Sequence, residues 1–204
     1  MTRPLAAAGS ALLLVDLQND FLHDDGAYAR GGARSAAAAV LPARLAPLCA
    51  AMRRKGGTIV STHFTLVPGR DGEPLIAPHL RALRPFLRKG DFAPGSWGQD
   101  LVAELAPSDV RVEKVAYSAF FQSRLEWVLR KLGVTDLLVA GIVTNGGVES
   151  TVRDAHVRDL HCTVLSDGCA AGSAAVHNAA MASMASVVAV ATCAEAAAMI
   201  EAMA

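Results

Sequence analysis

The sequence predicts an α/β protein of three layers: a doubly wound, Rossmann-like sheet of about six parallel strands between two layers of helices. Three observations predict it. Apolar runs recur along the chain, at residues 11–15, 58–62, 110–115, 137–140, 162–165 and 187–191. Alanine-rich or amphipathic segments of helical character lie between or after them, at 35–55, 122–132, 148–159, 174–185 and 194–203. The runs are apolar almost throughout instead of at every second position, which suits strands covered on both faces.

Each element follows from its residues. Leu12-Leu13-Leu14-Val15 forms the first buried strand and ends at Asp16. The second run ends at His63 and the third at Lys114, and the fourth leads into the small-residue turn from Gly141 to Gly147. Leu125, Val128, Leu129 and Leu132 repeat at steps of three and four, the spacing of one buried helical face. Residues 66–98 differ from the rest. They hold Pro68, Pro74, Pro78, Pro85 and Pro94 together with Gly69, Gly72, Gly90, Gly95 and Gly98. That is irregular chain with a short helix near 79–87, either a plain crossover or a wall over a site. No repeat or composition break divides the sequence, so residues 1–204 read as a single domain.

Composition narrows the function classes. The chain has 204 residues, 52% of them hydrophobic, enough for one well-buried core. Its 19 basic and 19 acidic residues balance, with no basic stripe. Nucleic acid and anionic membranes are therefore not expected as partners; a small-molecule substrate is. No apolar stretch approaches the ~18 residues that would span a bilayer. The N-terminal stretch 1–10 runs directly into the first strand and does not read as a cleavable leader. Cys49, Cys162, Cys169 and Cys193 show no metal-type spacing, which fits reduced thiols and a cytoplasmic location.

The polar residues that interrupt this apolar pattern collect at strand ends. In an open parallel sheet that edge is where ligands bind. A charge at the end of an apolar strand is costly unless it is paired, so Asp16 and Lys114 are expected to meet there. Each has a purely structural alternative, a helix cap or a salt bridge. Phe21, Phe64, Trp97 and Tyr117 lie beside these positions and suit the apolar wall of a small pocket or, equally, core packing. His63 is either a substrate contact or a hydrogen-bonded strand-end histidine. One histidine makes no metal site, and no metal or cofactor is expected.

Three motifs carry a resemblance: Val15-Asp16-Leu17-Gln18-Asn19-Asp20-Phe21, Glu113-Lys114-Val115-Ala116-Tyr117-Ser118-Ala119-Phe120, and Gly141-Ile142-Val143-Thr144-Asn145-Gly146-Gly147-Val148-Glu149-Ser150-Thr151. Together they resemble the isochorismatase-like hydrolase superfamily, from about residue 11 to residue 199. Most of its members carry a nucleophilic cysteine where this chain has Gly147. The resemblance implies that Asp16 handles the reacting proton, Lys114 stabilises charge, and Gly147 occupies the nucleophile's place. It implies a non-proline cis peptide, expected at Val143–Thr144, and an oxyanion hole built from amides around Gly146 and Gly147. Expected substrate contacts are Phe21, His63, Trp97, Tyr117, Val143, Thr144 and Gly146. Cys169, which reads as following the fifth strand, is the nearest alternative thiol. Glu149, Arg153 and Asp154 read as residues that hold the helix in place.

Members that hydrolyse a vinyl ether also carry glycine at this position, so the leading expectation is cysteine-independent hydrolysis of that type, assisted by Asp16 and Lys114. The segments at 117–121 and 141–151 look instead like the amidohydrolase branch. The alternatives are thus a C–N hydrolase scaffold whose cysteine is lost or mutated, or an inactive homologue that still binds a small molecule. The resemblance also implies a homo-oligomer, dimer or tetramer; the helices at 174–185 and 194–204 are a candidate interface or, equally, cover for the sheet.

Overall fold

The structure, a computed structural model, describes residues 4–203. Six strands form one parallel sheet: β1 (Ser10–Val15), β2 (Thr58–Phe64), β3 (Val110–Lys114), β4 (Asp136–Ile142), β5 (His161–Ala170) and β6 (Ala189–Ala191). Their spatial order is β3-β2-β1-β4-β5-β6. The chain builds outward from β1 to one edge, then crosses back and builds outward from β4 to the other. The reversal lies between β1 and β4, where Val15 is in register with Gly141. Connections on either side of that point lead away from each other and leave a crevice at the carboxyl edge.

The helices are α1 (Asn19–Leu22), α2 (Ala27–Arg30), α3 (Ala36–Ala39), α4 (Leu41–Arg54), α5 (Pro78–Leu83), α6 (Leu125–Lys131), α7 (Glu149–His156), α8 (Ala174–Met184) and α9 (Cys193–Glu201). Strand alternation divides the core in two. Leu12 and Leu14 of β1 pack with Leu45, Leu48 and Met52 of α4 and with Ala196 and Ile200 of α9. Leu13 and Val15 point the other way, toward Leu125 and Leu129 of α6, Val152 of α7 and Met184 of α8. Burying each such leucine contributes about 2 kcal/mol, so both faces of β1 must stay covered. This is the three-layer α/β fold that the apolar runs predict.

Two expectations are corrected. Strand β5 runs on to Ala170, so Cys169 lies inside it, paired with Gly141, instead of following it. The irregular register between Val139 and Gly141 carries the strand past the polar Ser166-Asp167 step at which the apolar run stops. The segment Ala36–Arg54 is, by length and composition alone, apolar enough to cross a membrane. Its alanines supply that character, and Leu41, Leu45, Leu48, Cys49 and Met52 bury one of its faces in the core. The helix α9 turns Cys193, Ala196 and Ile200 into the core, and that face covers the sheet. Residues Met1–Arg3, the start of the stretch read above as no leader, lie outside the described residues.

The segment 66–98 has a small core of its own. Leu66, Leu87 and Phe92 are buried together, with Phe21, Tyr28, Phe64 and Phe86 against them. Asp20 fastens it to the chain following β1: one carboxylate oxygen accepts from Phe92 N at 2.6 Å and the other from Ala27 N at 2.9 Å. A Cβ on Gly98 would stand 2.1 Å from the same carboxylate, so only glycine lets this loop close onto it.

Candidate active site

Asp16 follows the last residue of β1 and takes a left-handed backbone conformation with φ of 58°. Such a conformation costs a non-glycine residue on the order of 1 kcal/mol and persists only where its surroundings enforce it. Here the Asp16 amide is held by the backbone and side chain of Thr62 on β2, each at 3.2 Å. The turn aims the carboxylate across the carboxyl edge toward β3. Thr62 Oγ1 donates to Asp16 Oδ1 at 2.8 Å, and Lys114 Nζ meets Oδ2 at 2.6 Å.

Lys114, the last residue of β3, is buried like its partner. Its ammonium also donates to the carbonyls of Ala116 at 2.9 Å and Tyr117 at 3.1 Å. With Asp16 these account for all three N–H donors of a lysine. Burial pushes the Asp16 carboxyl above the usual carboxylate range, while the Lys114 ammonium and the Thr62 hydroxyl pull it back without cancelling the rise.

Facing this pair across the switch point is the turn after β4. Gly141 has φ of 135°, and a Cβ there would stand 2.1 Å from the Val15 carbonyl oxygen, so the two central strands approach closely only with glycine. The non-proline cis peptide lies at Ile142–Val143, one bond before the expected place. The next five residues, Thr144–Val148, form a single π-helical turn, and α7 begins only at Glu149. The Val143 carbonyl accepts from Gly146 N at 2.9 Å and Val148 N at 3.2 Å. The Gly146 amide is thus taken up inside the turn and is no free oxyanion donor, contrary to expectation: it makes the tight three-residue bond to Val143, whose carbonyl also accepts the wider π-type bond from Val148. Thr151 Oγ1 donates to the Gly147 carbonyl at 2.6 Å and anchors the turn to α7.

Gly147 stands directly over the carboxylate. A Cβ on this residue would lie 3.3 Å from Asp16 Oδ2 and 2.8 Å from the Ile142 carbonyl oxygen. The position of a nucleophile's side chain and the acceptor for its proton are therefore neighbours, as the sequence motifs imply. No cysteine takes over: all four are buried and free. Burial pushes the Cys169 and Cys162 thiols up to about 12 and Cys49 to about 11, too high for a thiolate at neutral pH. Among the described residues no group of three or more His, Cys, Asp and Glu is arranged to hold a metal ion.

The remaining candidates separate into two sets. Phe21 packs with Phe64 at 6.1 Å and Tyr28 at 4.7 Å between ring centroids, and Phe64 lies under Lys114 Nζ. Tyr117 is about half exposed, and its ring edge comes within 3.2 Å of where a Gly146 Cβ would sit. These residues gather beside the Asp16–Lys114 pair and the turn after β4, where Val143 is half-buried.

His63 and Thr144 do not join them. Strand alternation sends Thr62 toward Asp16 and His63 to the opposite face, where its Nδ1 donates to the Gln99 carbonyl at 2.7 Å. Its Nε2 then accepts from Ser61 Oγ at 2.8 Å, so both ring nitrogens are occupied. Burial lowers its pKa and favours this neutral form. Thr144 is fully buried and bonds His177 of α8 at 2.9 Å, turned away from the pair. Trp97 lies on the outer side of its loop, half-exposed, with its ring edge-on to His23.

Sequence reasoning missed Thr62, Tyr28 and Arg84. Thr62 was open to inference, because it is in register with Val15 and so sits beside Asp16. Arg84 Nε donates to the Tyr28 hydroxyl at 2.7 Å, a contact between distant loops that no local pattern announces.

A sequence model of the Isochorismatase domain matches residues 10–196. The chain belongs to that family. Among relatives of this isochorismatase-family protein, ureidoacrylate amidohydrolase RutB of Variovorax paradoxus (strain S110) is 34% identical over 194 residues, covering 86% of this chain and 77% of its own. The enzyme of the same name from Caulobacter vibrioides (strain ATCC 19089 / CIP 103742 / CB 15) is 31% identical over 177 residues, covering 80% and 78%. The crystal structure of a cysteine hydrolase from Pseudomonas syringae pv. phaseolicola 1448A superposes with a TM-score of 0.84 at 27% identity, over 98% of this chain and 96% of that one. N-carbamoylsarcosine amidase from Thermoplasma acidophilum shares the fold, with a TM-score of 0.70 at 23% identity over 91% and 96%.

Proposed function

We propose that this isochorismatase-family hydrolase cleaves a C–N bond in a small carbamoyl or amide compound without forming a covalent enzyme intermediate. A water molecule takes the part of the cysteine thiol. Asp16 accepts a proton from it as its oxygen bonds to the carbonyl carbon, and the tetrahedral intermediate collapses as the same proton passes to the departing nitrogen. The observation that carries this reading is the 3.3 Å between Asp16 Oδ2 and the place where residue 147 would bear its side chain. A carboxylate already aimed at the nucleophile's position serves water as well as a thiol, and its raised proton affinity makes it a better base. Lys114, with its donors taken by Asp16 and two carbonyls, acts through Asp16: it fixes the carboxylate and tempers its basicity.

The amidohydrolase names of relatives above 30% identity support the C–N bond over the vinyl ether. One observation favours the vinyl-ether reading as second choice. A carboxyl raised by burial also suits a proton donor, the role Asp16 would have toward an enol ether.

The deciding experiment is a turnover screen on ureides, small amides and isochorismate, with Asp16→Asn as control. Ammonia release by the wild type and its reduction by about a thousandfold in the control is the expected result. Turnover of isochorismate alone would replace the first reading with the second. Activity that survives Asp16→Asn would sink both. A wild type that is silent throughout but stabilised thermally by a ureide would make the chain a binding protein.

A further inference from the structure

Arg84 follows α5 in the 66–98 segment, whose core packs against Phe21 and Phe64. The Tyr28 ring that receives its Nε–H is held firmly, 4.7 Å from Phe21 and edge-on to Phe86 at 5.1 Å. The guanidinium is thus joined through the Tyr28 phenol to the aromatic group that holds Phe21. Burial pulls the Arg84 pKa down, but the Tyr117 and Tyr28 phenols raise it above its ordinary value, and the Tyr117 ring edge borders Gly146 of the turn after β4.

What Arg84 lacks is a carboxylate. Arg30 meets Asp91, Arg111 meets Asp100, Arg153 meets Glu149 and Arg158 meets Glu126. Among the described residues no carboxylate pairs with Arg84, although it is half-buried. A planar fork of five N–H donors, oriented by the Tyr28 hydroxyl and without an anion of its own, is suited to bind one supplied by a ligand.

We infer that Arg84 is the specificity-determining residue of this site: it reads a carboxylate at the end of the substrate remote from Asp16, with Tyr28 orienting its guanidinium. The substrate class is then a short ureido or amido acid instead of a neutral amide. The reaction at its other end rests on the C–N hydrolase reading above, but recognition of the carboxylate does not need turnover.

The test compares binding of N-carbamoylglycine and its neutral amide, N-carbamoylglycinamide, by calorimetry on the full chain, with ammonia release followed separately. The wild type is expected to prefer the acid. Arg84→Gln is expected to weaken the acid about tenfold or more and the amide by less than about twofold, as loss of a charge-assisted hydrogen bond requires. Tyr28→Phe, which keeps the ring and removes the hydroxyl, should weaken the acid by a smaller factor. If Arg84→Gln fails to fold, Tyr28→Phe and the effect of salt on the wild type decide, since added salt must weaken the acid alone. Equal or undetectable binding of the two probes by the wild type, or equal weakening of both by a folded Arg84→Gln, overturns the assignment. Selective binding without ammonia release upholds Arg84 and sinks the proposed reaction. Ammonia release without selectivity does the reverse.

Discussion

At Asp16 two large effects oppose each other. Burial removes hydration worth several kcal/mol from a carboxylate, and an ammonium 2.6 Å away returns only part of it. The carboxyl is left with a raised proton affinity, and the sign of the pH dependence then tells base from acid. As a base, Asp16 is useful only when ionised, so kcat/KM should fall as pH drops through its raised value. As a vinyl-ether acid it must start protonated, and the fall would come as pH rises. A profile with a flat acid side down to the ordinary carboxylate range would contradict the proposed role. Removing one partner leaves the other charge buried and alone. Lys114→Met should therefore cost about 3 kcal/mol in urea unfolding, and adding Asp16→Leu should restore much of that loss. His63 supplies a separate pH effect. Its folded pKa lies below its ordinary value of 6.5. The unfolded chain thus takes up the proton first, and the stability His63 contributes is present above about pH 6.5 and lost as pH falls through the folded value. Melting temperature should drop more steeply between about pH 7 and pH 5 in the wild type than in His63→Gln. Parallel curves would remove His63 from the account.

The turn after β4 shows how an element sets chemistry without reactive side chains. A tight three-residue bond at its start puts the Gly146 amide on the Val143 carbonyl, and the π-type bond from Val148 to the same carbonyl closes the turn with residue 147 beside Asp16. The glycine lets this turn close further than a side chain would. A Cβ only 2.8 Å from the Ile142 carbonyl, a backbone atom, cannot be accommodated without moving the turn. Gly147→Ala should accordingly destabilise the protein by about 1–2 kcal/mol, measured by urea unfolding, and lower turnover by screening Asp16 Oδ2. An unchanged midpoint would mean that the turn relaxes freely. Gly147→Cys faces the same movement, so any amidase activity it gains should come with a lower melting temperature. The turn's supports are side chains from other elements, Thr151 on the Gly147 carbonyl and His177 on Thr144.

For the whole molecule, the sheet's reversal between β1 and β4 brings β1, β3 and the turn after β4 to one edge, and the core of the 66–98 segment packs beside them against Phe21 and Phe64. Some large apolar side chains stay in solvent around this edge and on the helices beside it: Tyr117, Phe121 and Trp127 are about half exposed or more. Surface of this kind favours association, and with zero formal net charge the chain has little self-repulsion to oppose it. We expect a homo-oligomer, dimer or tetramer. Sedimentation equilibrium should give a multiple of the chain mass, and Trp127→Glu or Phe121→Glu should lower it. A single-chain mass at micromolar concentration would overturn the expectation.

Sequence by itself determined what depends on local pattern. Runs apolar at every position define strands buried on both faces, and they announced the parallel sheet, its flanking helices, and Asp16 and Lys114 at strand ends. The three motifs placed Gly147 beside them. Tertiary structure decided what depends on which face a residue turns to and which distant group it meets. A shift of one residue along a strand reverses a side chain's face, so Thr62 and not His63 reaches Asp16. The turn after β4 took up the Gly146 amide on the Val143 carbonyl and directed Thr144 to α8. Arg84 acquired meaning only when the segment bearing it folded onto Tyr28, 56 residues earlier in the chain. Contacts between segments that far apart leave no periodicity in the sequence, because long-range packing and burial fix them and local preference does not.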